Sequence, residues 1–330
     1  MKHPLRKLSV LLIVVLALAL AAPALAQGGD PACTGLSDAD CQLLLSAGEA
    51  MTGISSFSAP AWSLDLNFSD GTQQFSLNAS GSGAFQFSAD ASQLLVHLVI
   101  DQASLVTPNG SQAGAAEIIM TQDMGYVYFN GEWYGGELTE EDLGGLGDIT
   151  DLGSLMGSTE GMGDLSAAGI DLTGALSTTR GADEEIGGQP SAVFTTNINV
   201  GQLLVAVLAS PMVGEMLGAA GGDLGMGEMT PEDMQMMGMF LTPLLGQSTV
   251  SVGQWVGLND NMLHKIALDV VIDLNLSAFD PEAAPITGNI TFASEIGAFN
   301  EPVSVSFPDS YRPIEELQAQ LEALNALMDF

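Results

Sequence analysis

Apolar and polar residues alternate along several long runs of this chain, and this alternation constrains the fold more than any other feature. In residues 61–69 the large apolar side chains alternate with Ser63, Asp65 and Asn67. A period of two places the two sets on opposite faces of a β-strand, so one face is buried. The same pattern predicts further strands at 75–79, 85–87, 94–105, 117–121, 191–199, 250–258, 262–274, 287–296 and 303–307.

Two turn signals connect neighbouring strand patterns directly. Asn130-Gly131 separates Tyr128-Phe129 from Glu132-Trp133, and both turn residues tolerate a positive φ. Asn259-Asp260-Asn261 separates the runs 250–258 and 262–274 in the same way. Hairpins join antiparallel strands, so the sequence predicts a largely antiparallel sheet.

Helical patterns lie apart from the strand patterns. Ser37 is a good N-cap for a helix at 38–52 that Gly53 ends, and Thr230-Pro231 begins a helix that reaches about 245. Further helices are predicted at 202–217, broken near Pro211, and at 313–329. The Gly/Asp-rich residues 135–188 predict a flexible insertion with one short helical piece near 143–156. This segregation is typical of the α+β class, with one large antiparallel sheet covered by helices.

The N-terminus has the three parts of a secretory signal. Lys2, Arg6 and Lys7 precede an apolar run, and Ala24-Leu25-Ala26 ends it with residues suited to a signal peptidase. The apolar run spans about 12 to 15 residues, which is shorter than the roughly 20 that a membrane-spanning helix requires. We expect cleavage near Ala26 and export to the periplasm, the envelope or the medium, with residues 27–330 forming a single domain.

Beyond that segment the chain is very acidic. This part contains three basic residues, Arg180, Lys265 and Arg312, and 40 acidic ones, which gives it a net charge of −37. Phosphate binding needs clustered Lys and Arg, so nucleic acid is excluded as a partner. The acidity fits the solubility of an exported protein; capture of divalent cations and life in high salt are the alternatives.

Cys33 and Cys41 are the only cysteines. In an oxidising compartment an isolated pair eight residues apart predicts a local disulfide that ties the N-terminal arm to the first helix. His97 and His264 lie in apolar runs without the spacing of a metal site, and no motif for nucleophilic, metal or nucleotide chemistry occurs. The sequence therefore predicts a protein that is not an enzyme and binds neither metal nor cofactor.

Methionine is concentrated in one part of the chain. Eight of the 16 methionines fall between Met212 and Met239. Methionine adapts its shape, so Met-rich helices cover adaptable apolar sites, although a flexible core helix on the sheet has the same composition.

Several of these motifs together resemble a known group of proteins. They are the helix 38–52 leading through Ser55-Ser56-Phe57 into strand 62–68, the hairpin 126–134, the central helices, and the segment Gln254–Asn261 that enters the strand 262–275. Over most of 38–308 the chain resembles bacterial envelope proteins of the LolA-like lipoprotein-carrier and LppX/LprG type. It departs from them in lacking the lipidated N-terminal Cys of the lipoprotein members, and in the 135–188 insertion and the C-terminal helix.

The resemblance implies a half-open β-barrel closed by helices, with an apolar cavity for acyl chains between sheet and helices. The residues expected to line it are Trp62, Leu64, Leu66, Phe68, Tyr126, Tyr128, Met234, Met237, Leu241, Ile266 and Leu268. The function predicted first is an exported, non-catalytic carrier of a lipid or other apolar small molecule, which does not span the membrane and whose protein partner the sequence does not name. The alternative is an acidic structural or adhesive surface protein that binds divalent cations.

Overall fold

A computed structural model describes residues 33–87, 94–108, 110–138, 174–203, 248–274, 284–317 and 319–320. The predicted signal at 1–26, the predicted helix at 231–245 and most of the predicted helix at 202–217 lie outside these residues. Helical backbone is present at 200–203, where Asn199 Oδ1 accepts from Gln202 N at 2.9 Å, and at 314–317 and 319–320, within the predicted C-terminal helix.

Helix α1 spans Asp38–Thr52, as predicted. Ser37 lies in extended backbone before it, and its Oγ accepts from the backbone N–H of Asp40 at 3.3 Å. This contact satisfies one of the free N–H groups of the first turn, where the helix dipole also favours acids. Leu44, Ala47 and Gly48 form the buried side of the helix, and Gly53 caps its end.

The predicted disulfide between Cys33 and Cys41 is confirmed, with the two Cα atoms 5.2 Å apart. It ties the arm before α1 to that helix, and the backbone N–H of Thr178 in the sheet donates to the carbonyl of Thr34 in the arm at 3.1 Å. Gly35 lies between these contacts with φ +98°, and a Cβ there would be 2.8 Å from the carbonyl oxygen of Thr178. The arm therefore needs glycine at this position to approach the strand.

Replacing Cys33 and Cys41 together by serine is expected to lower the free energy of unfolding by about 2.5 kcal/mol, the chain-entropy value for so short a loop. The measurement is urea unfolding of the oxidised protein and of the double variant. The single variant Cys41→Ser serves as the control and should lose the same amount. A loss below about 0.5 kcal/mol would show that the bridge does not restrain the unfolded chain.

Thirteen strands, β1 to β13 in chain order, are present in the described residues. Their bounds are Ser56–Ser69, Gln74–Phe87, Leu94–Thr107, Gly110–Thr121, Met124–Phe129, Glu132–Glu137, Leu176–Arg180, Glu184–Ile186, Gln189–Asn199, Thr249–Gly257, Leu263–Leu274, Ile286–Glu295 and Arg312–Pro313.

All thirteen strands belong to one sheet, in the order β13-β6-β5-β4-β3-β2-β1-β12-β11-β10-β9-β7, with β8 also pairing with β9. Every pairing is antiparallel except the short parallel one between β13 and β6. The sheet is curved, and its two ends are different strands that do not pair with each other, so it stays open. The predicted class, α+β with a large curved antiparallel sheet, is confirmed.

The predicted turns have the backbone that their residues favour. Asn130 and Gly131 have φ of 51° and 88° in the β5–β6 turn, and Asn261 has φ of 56° in the β10–β11 turn. The latter turn closes with a 2.8 Å hydrogen bond from Gly257 N to the carbonyl of Met262.

The predicted strand at 303–307 is wrong. Asn300 N donates to the carbonyl of Ser56, Val303 N donates to Gln86 Oε1, and the Phe307 ring packs on Tyr126, so this segment passes from β1 over β2 to β5. The strands it meets already have two neighbours each in the sheet. No backbone is free to pair with it, and the segment crosses the sheet instead.

The predicted insertion at 135–188 is too wide at both ends. Strand β6 continues to Glu137, and β7 and β8 lie between residues 176 and 186. Leu176 and Ile186 are buried because these short strands pair with β9. Residues 139–173, including the predicted helical piece near 143–156, lie outside the described part of the chain.

Candidate functional site

The register of the strands divides the sheet into an apolar face and a polar face. Directly paired residues of neighbouring strands point to the same side, so a chain of pairs traces a row across the sheet. One such row crosses eight strands and contains only Leu, Ile and Val. In the order β3, β2, β1, β12, β11, β10, β9, β7 it consists of Leu105, Leu77, Leu66, Ile290, Val270, Val250, Ile198 and Leu176.

This apolar row is about 34 Å long, since neighbouring strands lie about 4.8 Å apart. The next row on the same face includes Leu64, Phe292, Leu268 and Val252, and the row after it includes Trp62 and Ile266. The apolar face therefore continues without a charged residue along the middle of β1, β12 and β11.

Burial on the apolar face falls along the strands. Near α1, Phe194 and Ile266 have 0% and 1% of their surface exposed, and Arg180 of β7 contacts Asp40 of the helix at 3.4 Å. Toward the other end of the strands, five members of the apolar row are only half-buried: Leu105, Ile290, Val270, Val250 and Ile198. One end of the face is packed core, and the other is apolar surface that solvent or a ligand can reach.

Five of the residues predicted to line a cavity are packed core side chains on this face. They are Trp62, Leu64, Leu66, Ile266 and Leu268, each at most 8% exposed. The indole N–H of Trp62 donates to the carbonyl of Ser82 at 3.2 Å. Phe68, nearer the open end of β1, is half-buried and lies opposite Phe75.

The two predicted tyrosines lie on the polar face instead. Tyr126 pairs with Ile119, Ile119 with His97, His97 with Ala84, and Ala84 with Ser58 of β1. Ser58 lies between Phe57 and Ala59, which point to the apolar face, so this row points to the polar face. Tyr128 follows Tyr126 by two residues and shares its side. The predicted grouping of the tyrosines with Trp62 therefore does not hold. The predicted lid residues Met234, Met237 and Leu241 lie outside the described residues.

The polar face carries a groove with a volume of about 450 Å³ across β1 to β4. Asp65, Asn78 and Ser104 form one row of its floor, with Asp101 and Gln102 beside them. Asn78 Nδ2 contacts Asp65 Oδ1. Sequence reasoning missed this groove, because its polar residues looked like the ordinary exposed side of strands.

His97 and His264 each have a carboxylate partner. His97 Nε2 lies 2.8 Å from Glu117 Oε1 on the polar face, and His264 Nε2 lies 3.0 Å from Asp260 Oδ2 in the β10–β11 hairpin. Among the described residues no three His, Cys, Asp or Glu side chains come together as they would in a metal site. In the same part of the chain, no helix has the length and hydropathy to cross a membrane.

The three Lys and Arg residues after residue 26 are held in the same kind of environment. Arg180 lies 5.3 Å from the centre of the Phe194 ring, Lys265 4.6 Å from that of Trp255, and Arg312 5.6 Å from that of Tyr134. Carboxylates complete each environment: Asp40 and Asp183 contact Arg180, Glu132 and Glu316 contact Arg312, and Glu184 accepts from the Trp255 indole.

The hydrogen bond from Arg312, followed by one from the Tyr134 hydroxyl, holds the pKa of Glu132 below its usual range. A depressed carboxyl pKa stabilises the folded state above that pKa, and this contribution is lost as the pH falls through it. Arg312→Gln is expected to raise the pKa of Glu132, measured by NMR titration. Asp70 is the internal control, since its pKa is lowered by the Gln73 backbone N–H and by Thr72, and it should not move. An unchanged pKa for Glu132 would contradict the assignment.

No family model matches the sequence, and the comparison with curated proteins finds no match. Solved structures are similar. Lipoprotein LppX of Mycobacterium tuberculosis has 12% identity and a TM-score of 0.32, with 82% of this chain and 100% of that one covered. LprF of Mycobacterium bovis has 13% identity and a TM-score of 0.34, with 82% and 96% covered.

A DUF1329 family protein from Desulfovibrio piger has 7% identity and a TM-score of 0.21, with 80% of this chain and 92% of that one covered.

Proposed function

We propose that this chain is an exported, non-catalytic carrier of a lipid or another elongated hydrophobic molecule. The observation that carries the proposal is the apolar row of eight Leu, Ile and Val residues, five of them half-buried, on one face of an open sheet. A solidly packed sheet would bury this row along its whole length.

Removal of apolar surface from water supplies the binding free energy. Each methylene that leaves water contributes about 0.8 kcal/mol, so an acyl chain lying along the row needs few polar contacts. A site of this kind orients no reacting group, which is consistent with a carrier function.

The lid and the export signal of this carrier are inferred from the sequence. The Met-rich segment around 231–245 would close the open end of the face as an adaptable lid, with Met234, Met237 and Leu241 toward the ligand. The signal at 1–26 would direct the chain out of the cytoplasm, where the bond between Cys33 and Cys41 can form.

Native mass spectrometry of the gently purified protein tests this function. A mass in excess of the chain, removed by organic extraction and identified as a lipid, is the expected result. The extracted protein should then bind a fluorescent fatty acid. A bare mass with no fatty acid binding would refute the carrier function, and bound calcium in its place would favour the structural surface protein.

A further inference from the structure

The polar face carries an exposed cluster of aromatic rings that the carrier function does not use. This aromatic strip consists of Tyr126, Tyr128, Trp133, Phe307 and Tyr311. Tyr128, Phe307 and Tyr311 are 38%, 49% and 48% exposed. Large aromatic residues exposed together on one side of a soluble domain are typical of an interaction site.

The rings of the strip are ordered by contact with each other. Tyr128 and Trp133 are directly paired across β5 and β6, with ring centres 5.2 Å apart. Tyr126 packs edge-on against Tyr311 at 5.2 Å and against Phe307 at 5.9 Å. Gly135 makes room for this packing, because a Cβ there would lie within 3 Å of both Tyr311 and Tyr126.

Acidic groups border the strip on the same face. Glu117 of β4 is directly opposite Tyr128, and the groove with Asp65 and Asp101 reaches β4 at Ala113 and Gly114. Asp65 lies three strands from β4 in the row of Ala113, and Asp101 lies on β3 between the rows of Ala116 and Gly114, so the space between the two Asp residues is about 13 Å from Glu117. The aromatic strip and the acidic groove are thus two neighbouring parts of one surface.

None of the described Lys and Arg side chains is left for this surface. The chain's three Lys and Arg residues after residue 26 each lie over another ring, at Phe194, Trp255 and Tyr134. Those three places show the combination that holds Lys or Arg in this protein: the face of an aromatic ring with carboxylates near it. Tyr128 and Trp133 beside Glu117 repeat the combination, with Tyr128 38% exposed and Trp133 half-buried, and Glu117 also contacts His97 Nε2 at 2.8 Å.

We propose that this surface binds a Lys/Arg-rich segment of a partner protein. One basic side chain would lie on Tyr128 and Trp133 near Glu117, and a second, four residues away in an extended segment, would lie between Asp65 and Asp101. Charge complementarity selects this partner, because residues 27–330, with a net charge of −37, repel a second copy of themselves as well as nucleic acid.

The test uses the full exported protein and a labelled synthetic peptide of Gly and Ser with Arg at its first and fifth positions, followed by fluorescence anisotropy at 150 mM salt. Tyr128→Ser with Trp133→Ser should raise the Kd at least tenfold, and Asp65→Asn with Asp101→Asn at least fivefold. The matched control is Asp269→Asn with Asp273→Asn on β11, which removes the same charge and should change the Kd less than twofold. Circular dichroism must show that each variant is folded.

Three outcomes would overturn the proposal. One is no binding of the peptide by the wild-type protein. Another is equal weakening by both pairs of Asp→Asn changes with no effect of removing the rings, which would show diffuse charge attraction. The third is equal affinity for a peptide of the same length with Arg at adjacent positions, which would show that the 13 Å spacing is not recognised.

Discussion

Replacing Val270 by lysine is expected to reduce the affinity for a fluorescent fatty acid by more than tenfold. Val270 lies in the middle of the apolar row on β11, paired with Val250 and Ile290, and is half-buried. An ammonium group there either remains in the apolar site without a partner, at a cost of several kcal/mol, or displaces the ligand. A tenfold change in Kd corresponds to about 1.4 kcal/mol.

Val271 is the matched control for this experiment. It is the next residue of the same strand, it points to the polar face, and it is 38% exposed. Val271→Lys should leave the fatty acid affinity within a factor of two of wild type. Equal losses in the two variants would indicate a general disturbance of β11, and no loss in Val270→Lys would place the ligand elsewhere.

Leu64→Ala is expected to lower the free energy of unfolding by 2 to 5 kcal/mol, a range typical of large-to-small changes in a packed core. Leu64 is 2% exposed and lies between Ala79 and Phe292 in the sheet. Urea unfolding measures the loss, and Asn67→Ala on the exposed side of β1 should cost less than about 0.5 kcal/mol.

The same variant decides whether Leu64 also lines the ligand site, as the sequence motifs imply. A core side chain that does not touch the ligand should change the fatty acid affinity less than about threefold when it is shortened. A loss of more than tenfold in affinity with less than 1 kcal/mol of destabilisation would show that Leu64 lies against the ligand and is not core.

Local sequence signals predicted the elements whose structure depends on near neighbours. Ser37 and Gly53 mark the two ends of α1, and Asn130-Gly131 forms the turn between β5 and β6. The alternation along 262–274 predicts β11 with Ile266 and Leu268 on the apolar face. In each case the information lies within a few residues. The class of the fold follows from the same patterns, because hairpin turns and period-two runs already indicate an antiparallel sheet.

The elements that were predicted wrongly depend on distant parts of the chain. Residues 126–129 are Tyr-Val-Tyr-Phe, so both sides of β5 are apolar and periodicity does not tell which side faces the core. Val303–Phe307 has a strand pattern but meets no unpaired strand, and β7 is a strand only because β9 is there to pair with it. The polar groove arises from the row Asp65, Asn78 and Ser104, which three separate strands supply.

The pairing of β1 with β12 at the middle of the sheet has a consequence for the order of events in folding. It joins Leu64 to Phe292, residues 228 positions apart, whereas the other antiparallel pairings join strands that are neighbours or next but one in chain order. Each half can form by local pairing, but their union must wait until the chain is complete to residue 295. Closing so long a loop is slow. A chain crossing a membrane from its N-terminus would therefore remain two separate half-sheets, each with an unsatisfied edge, until almost all of it had emerged.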